Sequence, residues 1–247
     1  MSAQGRRFRI DHHGLGWSAV LAAIGFTGLW LGFPRPVTAP ADSPMRAGAE
    51  TRESALETPS AAAALPHGVS DDWWTRTRAG IEAREYEVTE SALGAQAPNR
   101  AQDLRTYFHD GGIEVVPRTG NPSRWNWRWR THAWGREGLL TALSPAPPTV
   151  DATRVEYRHD PLTEWYRNGP DGLEQGFSLA ERPAGRGPLC IEGEITANLL
   201  PALDEGGGAI DFLSADGCRV LRYDGLKVVD ARGADLPSSL DLADGTI

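Results

Sequence analysis

The sequence contains little cysteine and almost no lysine. Two of its 247 residues are cysteines, and Lys227 is the only lysine beside many arginines. The shortage of lysine indicates codon bias, because no known site chemistry requires the removal of lysine from a whole chain. The cysteines, Cys190 and Cys218, fall in predicted strands of neighbouring hairpins. They therefore form either one disulfide that closes a long loop or two buried free thiols.

Motifs of the common enzyme classes are also absent. The chain has no H-E-x-x-H, no G-x-S-x-G, no Walker loop and no C-x-x-C. His109 and His159 have no partner at the spacing of metal ligands, and glycines 206–208 precede a predicted strand, the wrong context for a phosphate-binding loop. We therefore predict no catalytic residue, no cofactor and no metal site. Glu164 and Glu174, which lie near aromatic residues, keep a glycan-active enzyme as an alternative.

The charge balance argues against nucleic acid as a partner. The formal net charge is −8 at pH 7. Arginines outnumber acidic residues before residue 47, so the rest of the chain is more acidic than the whole. An acidic surface is repelled by phosphate backbones and by anionic membranes. We expect contact with a membrane only through residues 14–33.

Residues 1–33 have the pattern of an export signal. Three arginines among residues 6–9 precede residues 14–33, which carry no charge. Basic residues before an apolar run are typical of a secretory signal peptide or an uncleaved signal anchor, and small residues at 39–41 leave both forms open. Residues 34–69, rich in Pro, Ala and Ser, predict a disordered linker. We therefore expect an exported protein, either extracellular or anchored in the cell envelope.

Strand and turn signals dominate residues 70–247. Ser70, followed by two acidic residues and Trp73, predicts the start of a helix that ends near Glu85. After it, β-rich segments and turn signals such as Asp110-Gly111 recur about every 8–12 residues, without helices long enough for parallel crossovers. The sequence predicts a mostly β fold, an antiparallel β-sandwich with one N-terminal helix, preceded by a signal or anchor helix and the disordered linker.

The segment RWNWRWRTHAW, residues 124–134, contains four of the nine tryptophans. Alternate residues of a strand face opposite sides, so Arg128 and Arg130 share one face. Burying unpaired arginines costs several kcal/mol each, and the opposite face is therefore predicted to be core. That face holds Trp125, Trp127 and Trp129.

Four side chains are candidates for binding a partner. Arg128 and Arg130 form a predicted basic stripe for a partner that carries carboxylates. Trp134 falls on the arginine face in this alternation, so it is the better candidate for an exposed aromatic residue. Trp165 is the second aromatic candidate. Exposed tryptophans are how carbohydrate-binding sandwiches hold sugars, so a cell-surface glycan or protein is the expected class of partner.

Two stretches carry a resemblance to a known family. They are WYRNGPDGLEQGF, residues 165–177, and LRYDGLKVVDARG, residues 221–233. Residues 73–247 resemble the non-repetitive N-terminal region of bacterial exported proteins with FG-GAP, integrin-like β-propeller repeats. The resemblance implies a non-enzymatic structural or adhesion module at the cell surface, N-terminal to such repeats, and implies that the sandwich is truncated at Ile247. A carbohydrate-binding module and a glycan-active enzyme are the alternatives.

Overall fold

A computed structural model of the chain describes residues 6–12, 21–25, 84–91, 94–120 and 124–243, together with positions 70, 73, 77 and 80. The strands formed by these residues are β1 (Arg6–His12), β2 (Leu21–Gly25), β3 (Thr89–Ser91), β4 (Gly94–Asn99), β5 (Leu104–His109), β6 (Gly112–Pro117), β7 (Trp127–Arg136), β8 (Leu139–Ala142), β9 (Thr149–Asp151), β10 (Arg154–Arg158), β11 (Leu162–Gly169), β12 (Gly172–Leu179), β13 (Leu189–Ala197), β14 (Leu200–Leu203), β15 (Ile210–Leu213), β16 (Arg219–Tyr223), β17 (Leu226–Val229), β18 (Asp235–Leu236) and β19 (Ser238–Ala243).

The strands form three sheets. The largest has nine strands in the order β19-β1-β13-β7-β6-β5-β4-β3, with β8 paired to β7. The second has seven strands in the order β18-β17-β2-β12-β11-β10-β9, and the third has the order β14-β15-β16. Strand pairs that follow each other in the chain are antiparallel, as β5 with β6 and β11 with β12. This pattern confirms the predicted mostly β, antiparallel fold.

The inner faces of the two larger sheets meet in one core. The indole Nε1 of Trp129 on β7 lies 3.0 Å from Oε1 of Glu164 on β11. The hydroxyl of Tyr157 on β10 donates to the carbonyl of Gly112 on β6 at 2.9 Å. Two sheets whose inner faces share one core form a β-sandwich, as the turn spacing predicts.

The three-stranded sheet extends the same core. Phe212 on β15 packs edge-on against Trp127, with ring centroids 5.7 Å apart. Tyr223 on β16 stacks on Trp129 at 6.4 Å and an interplanar angle of 19°. Offset and edge-on arrangements of this kind are the favourable aromatic geometries. The tryptophans of β7 are therefore the place where all three sheets meet.

The chain divides into two compact units, Met1–Leu31 with Ala83–Ile247, and Gly32–Glu82. All strands that the structure describes belong to the first. In the second, positions 73, 77 and 80 are helical, and the N–H of Trp73 donates to Oγ of Ser70 at 3.3 Å. This is the hydrogen bond of a helix N-cap, so the predicted helix start is confirmed at the described positions.

Part of the predicted signal helix is a strand. Within residues 14–33, residues 21–25 form β2, which lies between β12 and β17. Upstream, residues 6–12 form β1 between β13 and β19. The physical reasons are the period-two alternation of RFRI, residues 7–10, and the glycines of the uncharged run, which lower its helix propensity.

The rest of the predicted signal or anchor helix and the linker at 34–69 lie outside the described residues. Among the residues that the structure describes, no helix has the length and apolar character needed to cross a membrane.

Candidate functional site

The outer face of the nine-stranded sheet carries paired charges on β6, β7 and β13. Glu114 stands opposite Arg128, and Arg130 stands opposite Glu194. Arg128 donates to Oε1 of Glu114 from Nε at 3.0 Å and from Nη2 at 2.9 Å. Arg130 makes a short ion pair with Glu194. Arg128 and Arg130 are 57% and 54% exposed, so they lie on the solvent face as predicted.

These side chains line a groove of about 540 Å³, called the outer groove below. Gly112 is one of its lining residues, and a Cβ there would come within 2.4 Å of the carbonyl oxygen of Trp129. The residues that line it are His109, Asp110, Gly111, Gly112, Ile113, Glu114, Arg128, Trp129, Arg130, Glu194 and Thr196.

In the outer groove, the arginines of the predicted basic stripe are paired with acidic residues of adjoining strands. Asp110, Glu114 and Glu194 outnumber the two arginines along its wall. Alternation along β7 correctly places the arginines outward, but the acidic partners come from β6 and β13. The sequence of one strand does not show which charged residues the neighbouring strands place beside it.

Trp134 is buried, which corrects its assignment as an exposed aromatic. Glu192 pairs with Ala133 and Gly193 pairs with Thr131, so His132 is an extra residue in β7. This bulge reverses the facing of the residues that follow it. Trp134 consequently stands opposite Ile191 and is 8% exposed.

Trp165 is also covered, although it lies on the outer face of its sheet. Its ring occupies the space above Gly176, where a Cβ would come within 2.1 Å of the indole. The guanidinium of Arg154 lies 4.3 Å from the ring centroid, and the indole N–H donates to Oγ of Ser178 at 3.2 Å. Trp165 is only 7% exposed. Its cover comes from two neighbouring strands and cannot be read from β11 alone.

Glu164 and Glu174 do not form a catalytic pair. Glu164 is 2% exposed and points into the core opposite Phe177. Glu174 stands opposite Arg167 in the same ladder, three residues from Phe177 and therefore on the other face. Two carboxylates on opposite faces of one sheet cannot flank a glycosidic bond.

Glu164 instead accepts hydrogen bonds inside the core. Its Oε1 receives Nε1–H of Trp129 at 3.0 Å, Nε2–H of Gln175 at 2.7 Å and the hydroxyl of Tyr166 at 2.5 Å. Burial raises the pKa of the Glu164 carboxyl, and the hydrogen bonds from Tyr166 and Gln175 oppose that rise. The hydroxyl of Tyr223 donates to Oε1 of Gln175 at 3.2 Å.

These residues are called the Glu164 network below, and they join all three sheets. The sequence reasoning missed the network. The signal was a glutamate at an inward position between Leu162 and Tyr166, where the alternation of β11 calls for an apolar residue.

Of the two alternatives for the cysteines, the structure has free thiols, but only one of them is buried. Cys190 and Cys218 are both free, with Cys190 buried and Cys218 exposed. Cys190 lies in β13 of the nine-stranded sheet, whereas Cys218 precedes β16 of the three-stranded sheet. The prediction treated the two strands as members of neighbouring hairpins, but they belong to different sheets.

His109 and His159, the two histidines considered in the sequence analysis, lie in different surroundings. His109 Nε2 lies 3.7 Å from Oε2 of Glu114 at the edge of the outer groove. His159 is half-buried, and burial lowers the pKa of its imidazole. In the part of the chain that the structure describes, no group of three or more His, Cys, Asp or Glu side chains has the arrangement of a metal site.

Comparisons of the chain with protein-family models, with curated proteins and with solved structures produced no match.

Proposed function

We propose that the chain is a non-enzymatic structural and adhesion module of the cell surface, and that the outer groove is its contact surface. The observation that carries this proposal is the groove of about 540 Å³ between exposed Arg–Glu pairs. The carboxylate that the sequence offered for catalysis, Glu164, is sealed in the core and cannot touch a substrate.

The mixed charges of the groove define the chemistry of its partner. Each guanidinium already holds a carboxylate, so a simple anion would have to displace Glu114 or Glu194. Exposed ion pairs contribute only about 0–1 kcal/mol, so exchanging one for hydrogen bonds to a ligand costs little. The groove therefore suits a polar surface that offers both donors and acceptors, such as a glycan or a polar loop of a surface protein.

Export is part of the same proposal. It is supported by the arginines before the uncharged run 14–33 and by the resemblance of residues 73–247 to the N-terminal region of exported FG-GAP repeat proteins. Because β1 and β2 complete both larger sheets, we propose an exported form that retains residues 6–25. N-terminal sequencing of the protein from cell envelopes tests this, and a mature terminus after residue 25 would contradict retention.

Binding to isolated cell envelopes tests the contact surface. The double variant R128A/R130A is expected to bind at least about tenfold more weakly than the unchanged chain, as loss of two interface arginines commonly causes. R158A/R219A is the matched control, because Arg158 and Arg219 are also exposed and ion-paired but lie on the other sheets. Equal binding by the two double variants would contradict the assignment.

A glycan-binding module is the second candidate, and one aromatic contact favours it. Tyr107 and His109 stack at the edge of the groove with centroids 6.4 Å apart and an angle of 23°. Tyr107 stands in the same cross-strand row as Glu114 and Arg128. An aromatic face beside polar groups is the usual composition of a small-ligand site.

Affinity electrophoresis in polysaccharide gels separates this candidate from protein adhesion. Y107A is expected to lose retardation, while Y107F, which keeps the ring, retains it. Retardation that is equal in both variants, or absent from the unchanged chain, would contradict glycan binding through Tyr107.

A further inference from the structure

The two strands of the N-terminal arm, β1 (residues 6–12) and β2 (residues 21–25), fill one slot in each of the two larger sheets. In the first slot, β1 pairs with β13 on one side and with β19 on the other. In the second slot, β2 pairs with β12 and β17. Both strands are therefore internal strands, and each bridges segments that are distant in the sequence.

The first slot has a chemistry that selects its occupant. On the outer face, Glu192 and Glu194 of β13 and Asp241 of β19 border it. The register sets Arg9 opposite Glu192 and Asp241, and Arg7 opposite Glu194. The basic positions of the arm's sequence therefore fall in register with acidic positions of both neighbouring strands.

The inner side of the slot is apolar. Ile191, Ile195 and Leu240 are buried there. The register sets Ile10 opposite both Ile191 and Leu240. An occupant must therefore alternate basic and apolar residues, and RFRI at residues 7–10 does so. A second copy of the chain carries the identical arm.

The connection between arm and body is long. The arm ends at Gly25, whereas the next strand, β3, begins at Thr89. Inside the body, by contrast, β5 and β6 are joined by Asp110 and Gly111 alone. Short flexible linkers give effective concentrations of roughly millimolar order, and the value falls as the linker lengthens, so a chain's own arm competes with the arms of other copies at about millimolar protein or below.

We propose that the N-terminal arm exchanges between copies, so that β1 and β2 of one chain occupy the two slots of a neighbour. A neighbour's arm makes the same strand pairs as the chain's own arm, so the exchange loses no contact and is governed by concentration. Dilute protein keeps its own arm. Copies crowded at a surface link through their arms.

Cysteine trapping tests the exchange, because Asp11 stands opposite Cys190 in the register of β1 and β13. Opposed residues of antiparallel strands lie at the separation that a disulfide requires. One full-length chain, D11C/C190S/C218S, carries a thiol only in the arm. A second, C218S, carries only the buried Cys190. A disulfide between these two chains forms only when the arm of the first enters the slot of the second.

The two chains are refolded together, oxidised, and separated on a non-reducing gel. The mixed disulfide is expected to rise at least tenfold between about 10 µM and about 1 mM protein, across the effective concentration of the arm. The control is C190S, whose single thiol is the exposed Cys218; it should form no such bond with Cys190. The unchanged chain should double in mass over the same range by light scattering.

Three results would overturn the proposal. The first is the absence of a mixed disulfide at 1 mM while D11C/C218S closes its own disulfide, since the arm then stays with its own body. The second is no disulfide in either case, because the arm then does not occupy the slot. The third is equal reaction of the Cys218 control, because Cys190 would then be open to any thiol.

Discussion

Both faces of β7 contact glutamates of other strands, but the two kinds of contact serve opposite purposes. Toward the core, Trp129 donates to Glu164 across the sandwich. Toward solvent, one residue away on either side, Arg128 and Arg130 hold Glu114 and Glu194. The glutamates have the same chemistry in both places, and only the surroundings differ. Position relative to water decides which glutamate supports the fold and which is free to exchange partners.

The difference in energy follows from the difference in solvation. An exposed ion pair contributes about 0–1 kcal/mol, because water competes for both groups. A buried acceptor holding several donors cannot be replaced by water, and its removal leaves those donors unsatisfied at about 1–3 kcal/mol each. Substitutions in the Glu164 network are therefore expected to lower the free energy of unfolding strongly, whereas substitutions of the ion pairs in the outer groove are expected to lower it little.

Truncation of Glu164 is expected to cause the largest loss of stability. E164A removes the acceptor of Trp129, Gln175 and Tyr166 and opens a cavity, which should lower the free energy of unfolding by about 4 kcal/mol. E164Q keeps the shape and an acceptor oxygen, so it should lie within about 1 kcal/mol of the unchanged chain. Urea unfolding measures both. If E164A and E164Q lowered the free energy of unfolding equally, the buried hydrogen bonds would not be what distinguishes the core face from the outer face.

Alanine substitution of two glycines that lie under tryptophan rings makes the same steric change on the core face of one sheet and on the outer face of another. A Cβ at Gly193 would lie 2.1 Å from the ring of Trp129, and one at Gly176 would lie 2.1 Å from the ring of Trp165. Trp129 is held in the core, so G193A should cost about 3 kcal/mol. Trp165 faces outward and can swing into solvent, so G176A should cost about 1 kcal/mol. A larger loss for G176A, by thermal or urea unfolding, would contradict this order.

The pH dependence of stability should have opposite signs for the buried Glu164 and for Glu156, which is partly exposed and ion-paired. Burial raises the pKa of Glu164 above its unfolded value, so its contribution is full at low pH and is lost as pH rises through the folded pKa. The hydrogen bond from Arg154 lowers the pKa of Glu156, so its contribution is present at neutral pH and is lost as pH falls.

Urea midpoints of E164Q and E156Q between pH 4 and pH 8 measure these two slopes. Relative to the unchanged chain, E164Q should gain stability as pH rises, and E156Q should lose it. The slope cannot exceed about 1.4 kcal/mol per pH unit for one group. The same sign in both variants would show that burial does not separate the two carboxylates.

Local alternation predicted much of this fold correctly. The inward tryptophans of β7 and its outward arginines follow from the period of two, because the two faces of a strand differ in their exposure to water. Hairpin turns such as Asp110-Gly111 are equally local. These features depend only on a residue and its immediate neighbours in the chain.

The predictions failed where a second strand decides the outcome. The extra residue His132 is defined only against its partner β13, and it turns Trp134 inward. The cover of Trp165 depends on a glycine of β12 in register. Residues 6–12 pair with β13, which lies far away in the sequence, and a signal-peptide pattern considers only the N-terminal residues. Register and long-range pairing are not encoded in the period of one strand.

The Arg–Glu pairs of the outer groove should contribute less to the free energy of unfolding than any interaction discussed above. A double-mutant cycle with E114A and R128A is expected to give a coupling of about 0.5 kcal/mol at low salt, which falls further at 1 M salt because both side chains reach water. The matched inner cycle, W129F with E164A, removes the donor and the acceptor of one buried hydrogen bond and should give a larger coupling that salt leaves unchanged, since no ions reach the core. If the outer coupling equals the inner one, or resists salt, the Arg–Glu pairs are structural. The outer groove could not then exchange them for a ligand at low cost, and the proposed contact surface would lose its physical basis.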